Sequence, residues 1–121
     1  MSNFGLVVIG AHSGVWLKSL LDEYQNQNIL LVEPVPYNIA LLKENTAKYK
    51  NINIETSAVS ENNEIKKFYY VKPDAVKRLG KHWASGIGSF NKQHILNHKY
   101  KRFKVSDSDI EQIDIQYLYR L

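Results

Sequence analysis

Two short aliphatic runs, Leu6-Val7-Val8-Ile9 and Ile29-Leu30-Leu31-Val32, constrain this chain more than any other feature. Unbroken apolarity, rather than alternation, is the pattern of strands buried on both faces of a parallel sheet. The stretch between them is too long for a hairpin loop and carries a helical stripe. Trp16, Leu17, Leu20, Leu21 and Tyr24 recur at i, i+1, i+4, i+5 and i+8, one apolar face. Gly10-Ala11-His12-Ser13-Gly14 forms the turn before that helix, and Asn26-Gln27-Asn28 ends it.

The second run ends at Glu33-Pro34, and Pro36 is well placed to open a second helix. Ile39, Leu42 and Thr46 share one face of it, with Leu41 alongside. Asn51-Ile52-Asn53-Ile54-Glu55 alternates with period two and predicts a third strand, reaching Ser57-Ala58-Val59. The fold class is therefore α/β: a β-α-β-α-β unit over residues 5–60 with right-handed crossovers. Beyond it, Ser60-Glu61-Asn62-Asn63-Glu64 is a turn cluster, and Ile65–Val71 predicts a strand in a hairpin with strand three. Residues 75–99 read as loop and short helix, and residues 100–105 as a further strand. Ser106 and Asp109 resemble a capping box, so a short terminal helix is expected after them. The whole, residues 1–121, reads as a single partial domain, with residues 61–121 as its basic segment.

Charge is unevenly spread. Residues 66–104 hold 11 Lys or Arg and one acid, Asp74, whereas the remainder holds 5 bases and 11 acids. Such asymmetry suits either an anionic partner or a solvated basic face. Lys66, Lys67, Lys77, Arg78, Lys81 and the run from Lys99 to Lys104, interleaved with Phe68, Tyr69, Trp83 and Phe103, would suit nucleic acid, although no nucleic-acid motif is present. No apolar run approaches the ~20 residues of a membrane span, and no secretory signal is recognisable, so no membrane partner is expected. Cysteine is absent, in keeping with the cytoplasmic location expected here.

The chemistry-bearing features lie at strand ends. A glycine at the end of strand one lets a ligand approach the backbone, because no Cβ intrudes. A dinucleotide fingerprint would need glycine where His12 and Val15 stand, so the G-A-x-x-G turn argues against NAD. No G-K-[ST] is present either. Glu33 follows the turn by about 20 residues, at the end of strand two, where an acid can accept hydrogen bonds from a ribose diol. His82, His94 and His98 lack a Cys or paired acid nearby, and no metal is expected. Trp83 and Phe90 are read as packing residues or as an acceptor pocket, and Tyr69 and Tyr70 as opposite faces of one strand.

Val8-Ile9-Gly10-Ala11-His12-Ser13-Gly14, then Val32-Glu33-Pro34-Val35-Pro36, then Ser57-Ala58-Val59-Ser60 resembles the FkbM family of S-adenosylmethionine-dependent methyltransferases. That family typically shows a G-A-N-x-G turn, an E-P-x-P segment opening helix two and an A-[IV]-S segment closing strand three. The stretch Trp83-Ala84-Ser85-Gly86-Ile87-Gly88-Ser89-Phe90 is similar to a serine-bearing segment downstream, so the likeness covers residues 6–98. The resemblance implies a partial Rossmann-like class I methyltransferase fold. It implies that Gly10, Ala11, His12, Ser13 and Gly14 pack against the methionine and ribose of S-adenosylmethionine. Glu33 would bind the ribose hydroxyls, Pro34 would flank the adenine, and Ser57 and Ala58 would lie near its edge. Trp83, Ser85 and Ser89 would face a sugar or small-molecule hydroxyl acceptor. No catalytic residue is assigned.

Three positions depart from the family pattern. Val8 stands where many class I methyltransferases carry an acid, His12 stands where Asn is common, and the later I-D-x-E-G segment has only the partial likeness Ile113-Asp114-Ile115-Gln116. The chain is expected to carry mainly the cofactor-binding half. Strand one would then be a sheet edge, so the expectation is a fragment of a longer product with a missing C-terminal half, self-association across that edge, or a marginally stable chain. The alternative is a binding or assembly domain that has lost turnover, and a basic nucleic-acid-binding module is the third reading.

Overall fold

A computed structural model describes residues 3–59, 65–80, 85–97 and 105–118. The protein is mixed α/β with a three-stranded parallel sheet. The chain divides into two compact units, one of Met1–Glu64 with Gln116–Leu121, the other of Ile65–Ile115.

The first unit is built as β1 (Leu6–Ile9), α1 (Lys18–Tyr24), β2 (Ile29–Val32), α2 (Pro36–Asn45) and β3 (Ile52–Glu55). The sheet order is β1-β2-β3, with Leu6 beside Ile29 beside Ile52 and Val8 beside Leu31 beside Ile54. Those six side chains share one face. They pack with Leu17, Leu20, Leu21, Leu42 and Tyr49 into one core, so both helices cover the same side of the sheet. Pro36 begins α2 as expected, its missing N–H costing nothing in the first turn. Ile39, Leu42 and Thr46 are buried, as the spacing predicts, whereas Leu41 beside them is exposed.

Two local readings change. Of the two aliphatic runs, β2 is buried along its whole length and β1 is not. On β1, Val7 is 41% and Ile9 58% exposed, because β1 has β2 as its only sheet neighbour among the described residues. Trp16, expected on the buried stripe, is 60% exposed. Val15–Leu17 is a 3-10 turn, and its tighter winding displaces Trp16 from the α-helical stripe while Leu17 stays fully buried.

Strand three is shorter than expected. It stops at Glu55, and Ala58–Val59 forms a separate strand, β4, which pairs in parallel with the end of β6 (Ile110–Leu118). The expected hairpin between strand three and Ile65–Val71 is not formed. That segment is strand β5, and its sheet neighbour is β6. The expected terminal helix is likewise replaced by β6. The capping box of Ser106 and Asp109 is present, but it closes one 3-10 turn, Asp107–Asp109. The β-branched Ile110, Ile113 and Ile115 then favour strand. Of residues 100–105, read as a strand, only Val105 is described, and it is buried outside any strand.

In the second unit α3 (Pro73–Leu79) and α4 (Lys92–Leu96) supply the short helices expected there. Val71, Ala75, Ile95, Val105 and Ile110 form its core. Tyr70 is buried and donates its hydroxyl to Glu111 at 2.8 Å, while Tyr69 lies half-buried on the other face of β5. Asp109 ties this unit together: its Oδ2 accepts from Arg78 Nη2 at 2.8 Å and from the Ser106 N–H at 3.0 Å. The Arg78 guanidinium, helped by the Ser106 donors and opposed by burial, holds the Asp109 carboxyl below the usual carboxylate range. A carboxylate so lowered stabilises the fold above its unfolded-state pKa, and the gain disappears as pH falls through the lowered folded value. Thermal melts across the acid range should therefore show a steeper loss of stability for the native chain than for Asp109→Asn.

Gly88 supplies a second check on this unit. A Cβ there would meet the Phe68 ring at 2.4 Å, and Phe68 also packs edge-on against Phe90 at 5.5 Å. Gly88→Ala is expected to cost about 1–3 kcal/mol through overpacking, read by denaturant unfolding.

Candidate functional site

The residues singled out at the three strand ends are brought together by backbone hydrogen bonds. The Gly10 and Ala11 N–H groups both donate to the Val32 carbonyl, at 2.8 and 3.0 Å. The Glu33 N–H donates to the Glu55 carbonyl at 3.0 Å. Ser57 Oγ donates to Glu55 Oε1 at 2.7 Å. Gly10, Glu33 and Ser57 thus follow one another across the C-terminal edge of β1, β2 and β3. In open α/β sheets this edge is where ligands bind.

The turn after β1 is held in an uncommon conformation. Gly10, His12 and Gly14 have φ of 75°, 57° and 81°. For His12, a residue with a Cβ, that region is disfavoured and must be held by its surroundings. Glu33 holds it. Its Oε1 accepts the His12 N–H at 2.8 Å, and its Oε2 accepts the Val35 N–H at 3.0 Å. One carboxylate therefore fixes the glycine turn and the start of α2 together. It does so from a position only 5% exposed. Sequence reasoning located Glu33 but gave no sign of this latch, because the donors are backbone groups.

The two glycines of the turn differ in surroundings. A Cβ at Gly10 would meet no atom within 4 Å, so open space adjoins the backbone there. A Cβ at Gly14 would lie 2.6 Å from Leu42 Cδ1, so that position is filled by α2. Ala11 and Ser13 are also buried, and the Ser13 carbonyl accepts from Asn45 Nδ2 at 2.8 Å. The accessible members of the set are Gly10, His12, Pro34 and Ala58.

A cleft of about 320 Å³ lies elsewhere in this unit, lined by Gly14, Val15, Lys18, Leu21, Asn45, Lys48 and Tyr49. Of the candidate residues only Gly14 reaches it. Beside it Asp22 accepts from the Tyr49 hydroxyl and from Lys18 Nζ, and these donors hold its carboxyl below the ordinary range.

The residues expected to face an acceptor lie in the second unit. Ser85 is buried. Ser89 pairs with Tyr69 in an isolated antiparallel bridge, and its Oγ accepts the Asn91 N–H at 3.1 Å. Trp83 falls outside the described residues, as do His82, His98, Lys81, Lys99, Lys101, Arg102 and Lys104. No cluster of three metal-ligating side chains occurs among the described residues. None of their helices is long and apolar enough to cross a membrane.

No protein-family model matches this chain, and neither a curated protein nor a solved structure matches it.

Proposed function

We propose that this chain is the cofactor-binding half of an S-adenosylmethionine-dependent methyltransferase of FkbM type, directed at a sugar or small-molecule hydroxyl. The observation that carries this reading is the latch of Glu33 on the turn after β1. It gathers an acid, an open glycine and two tied strand ends at the ligand-binding edge of a parallel sheet. The sheet and its helices are compatible with a partial Rossmann-like fold. The absence of glycine at His12 and Val15 favours S-adenosylmethionine over a dinucleotide.

The open space at Gly10 fits the close passage of a methionine or ribose group over the backbone. Each Glu33 oxygen accepts one backbone N–H from this turn region, and a carboxylate oxygen has room for a second donor, here a ribose hydroxyl. Pro34, beside it, would flank the adenine, and Ser57 and Ala58 would lie near the adenine edge. The bound cofactor would supply an electrophilic methyl group. The chain's own contribution is to orient it, because methyl transfer depends chiefly on alignment and proximity. The acceptor and the group that takes its proton are not assigned.

Amide NMR tests this reading. Adding S-adenosylmethionine should shift the Gly10, His12 and Glu33 resonances, and adding NAD should not. Equal silence towards both ligands would count against it. The near-complete burial of Glu33 supports a second reading, in which the latch survives as architecture in a domain that no longer turns over. On that reading neither ligand shifts these amides, while Glu33 substitutions still weaken the fold.

A further inference from the structure

Among the described residues β1 has no neighbour on its second side, and that edge has a geometry that a second copy of the same chain can complete. The Gly10 N–H donates to the Val32 carbonyl and the Leu6 N–H to the Asn28 carbonyl, so the backbone groups of Leu6, Val8 and Gly10 face β2. Strand periodicity then points the N–H and C=O of Val7 and Ile9 away from β2. The side chains of the same two residues stand exposed on the sheet face opposite α1 and α2. Backbone and side chain at both positions are thus available together.

We infer that two copies pair antiparallel through β1, about a two-fold axis passing beside Val8. In that register Val7 meets Ile9 of the second copy as a hydrogen-bonded pair, and Ile9 meets its Val7. Every outward N–H and C=O of both residues is then used. The Val7 side chain lies against the opposing Ile9 on the open face, which covers the two exposed aliphatic groups of each strand. Val8 lies opposite Val8, the non-hydrogen-bonded position through which the axis runs.

The occupant is a second copy because the segment is self-complementary. No Asp, Glu, Lys or Arg occurs in residues 2–17, in a chain that is 23% charged. Two such edges meet without like charges facing each other, and the edge has no charge with which to select a different partner. Natural edge strands usually carry lysine, proline or a bulge to prevent pairing. Leu6–Ile9 has none of these. Val15 and Trp16, 72% and 60% exposed, add apolar surface in the same uncharged segment. The strand is short, so the contact falls below a standard interface and the dissociation constant is expected at about 10–100 μM. The inference rests on the edge of β1 and not on what binds at the strand ends.

Sedimentation of the chain from about 5 μM to about 1 mM should show a monomer–dimer equilibrium in the range expected for so small an interface. Val7→Pro removes one outward N–H at an edge position that tolerates proline, and should weaken the dimer at least tenfold with an unchanged circular dichroism spectrum. The register is read by oxidation, since the chain has no cysteine of its own. An equal mixture of Val7→Cys and Ile9→Cys chains should give mainly the mixed disulfide. A strictly monomeric chain at the highest concentration would overturn the proposal. So would larger open-ended species, preferential Val7→Cys homodimers, or efficient cross-linking through Asn53→Cys on β3 instead.

Discussion

Gly14→Ala should destabilise the first unit by about 2–4 kcal/mol, among the largest effects of any single methyl group here. Two separate costs add. At φ 81° the new Cβ is strained against its own backbone. It would also sit 2.6 Å from Leu42 Cδ1, and Leu42 is fully buried in the core between sheet and helices. Urea unfolding followed by far-UV circular dichroism measures the sum. Gly10→Ala is the control: its φ of 75° carries the strain, but its Cβ meets open space. It should cost about 1–2 kcal/mol, the strain alone. Equal losses at the two positions would contradict the division of the turn into a packed and an open glycine.

Glu33→Ala should cost about 2–4 kcal/mol, and its effect is local to the turn. The His12 and Val35 N–H groups both lose their acceptor. A buried donor left unpaired costs about 1–3 kcal/mol, more than the bond itself contributes. His12 would also lose the contact that holds its positive φ. Glu33→Gln keeps one carbonyl oxygen and one of the two bonds, so it should lose roughly half as much. Hydrogen exchange separates this from global unfolding: the His12 and Val35 amides should lose protection first. If Glu33→Ala melts like the native chain, the carboxylate is not the latch described above.

The β-α-β-α-β part was legible because its signals are local. The aliphatic runs of β1 and β2, the Pro36 start and the alternation at Ile52 and Ile54 each announce their element within a few residues. The pairing of β4, β5 and β6 was not legible, because strand partners distant in sequence leave no local mark. Ser106 and Asp109 show how a true local signal misleads. The capping box forms as read, but a cap specifies a start and not a length, and the isoleucines after it take the chain into β6. At the candidate site, residue types singled out Gly10 and Glu33 correctly as neighbours at adjacent strand ends. They did not reveal that Gly14 serves the packing of Leu42, since a glycine is silent about what fills its missing side chain.

Calorimetric titration of the folded chain with S-adenosylmethionine, and in parallel with NAD, tests the central claim most directly. The account predicts saturable heat with S-adenosylmethionine and none with NAD, and predicts that Gly10→Val, which fills the open space beside the turn, abolishes the binding in the fraction of the variant that circular dichroism shows to be folded. A chain shown to be folded that gives no heat with S-adenosylmethionine, or that binds it equally well as Gly10→Val, would contradict the assignment of a methyl-donor site to this edge of the sheet.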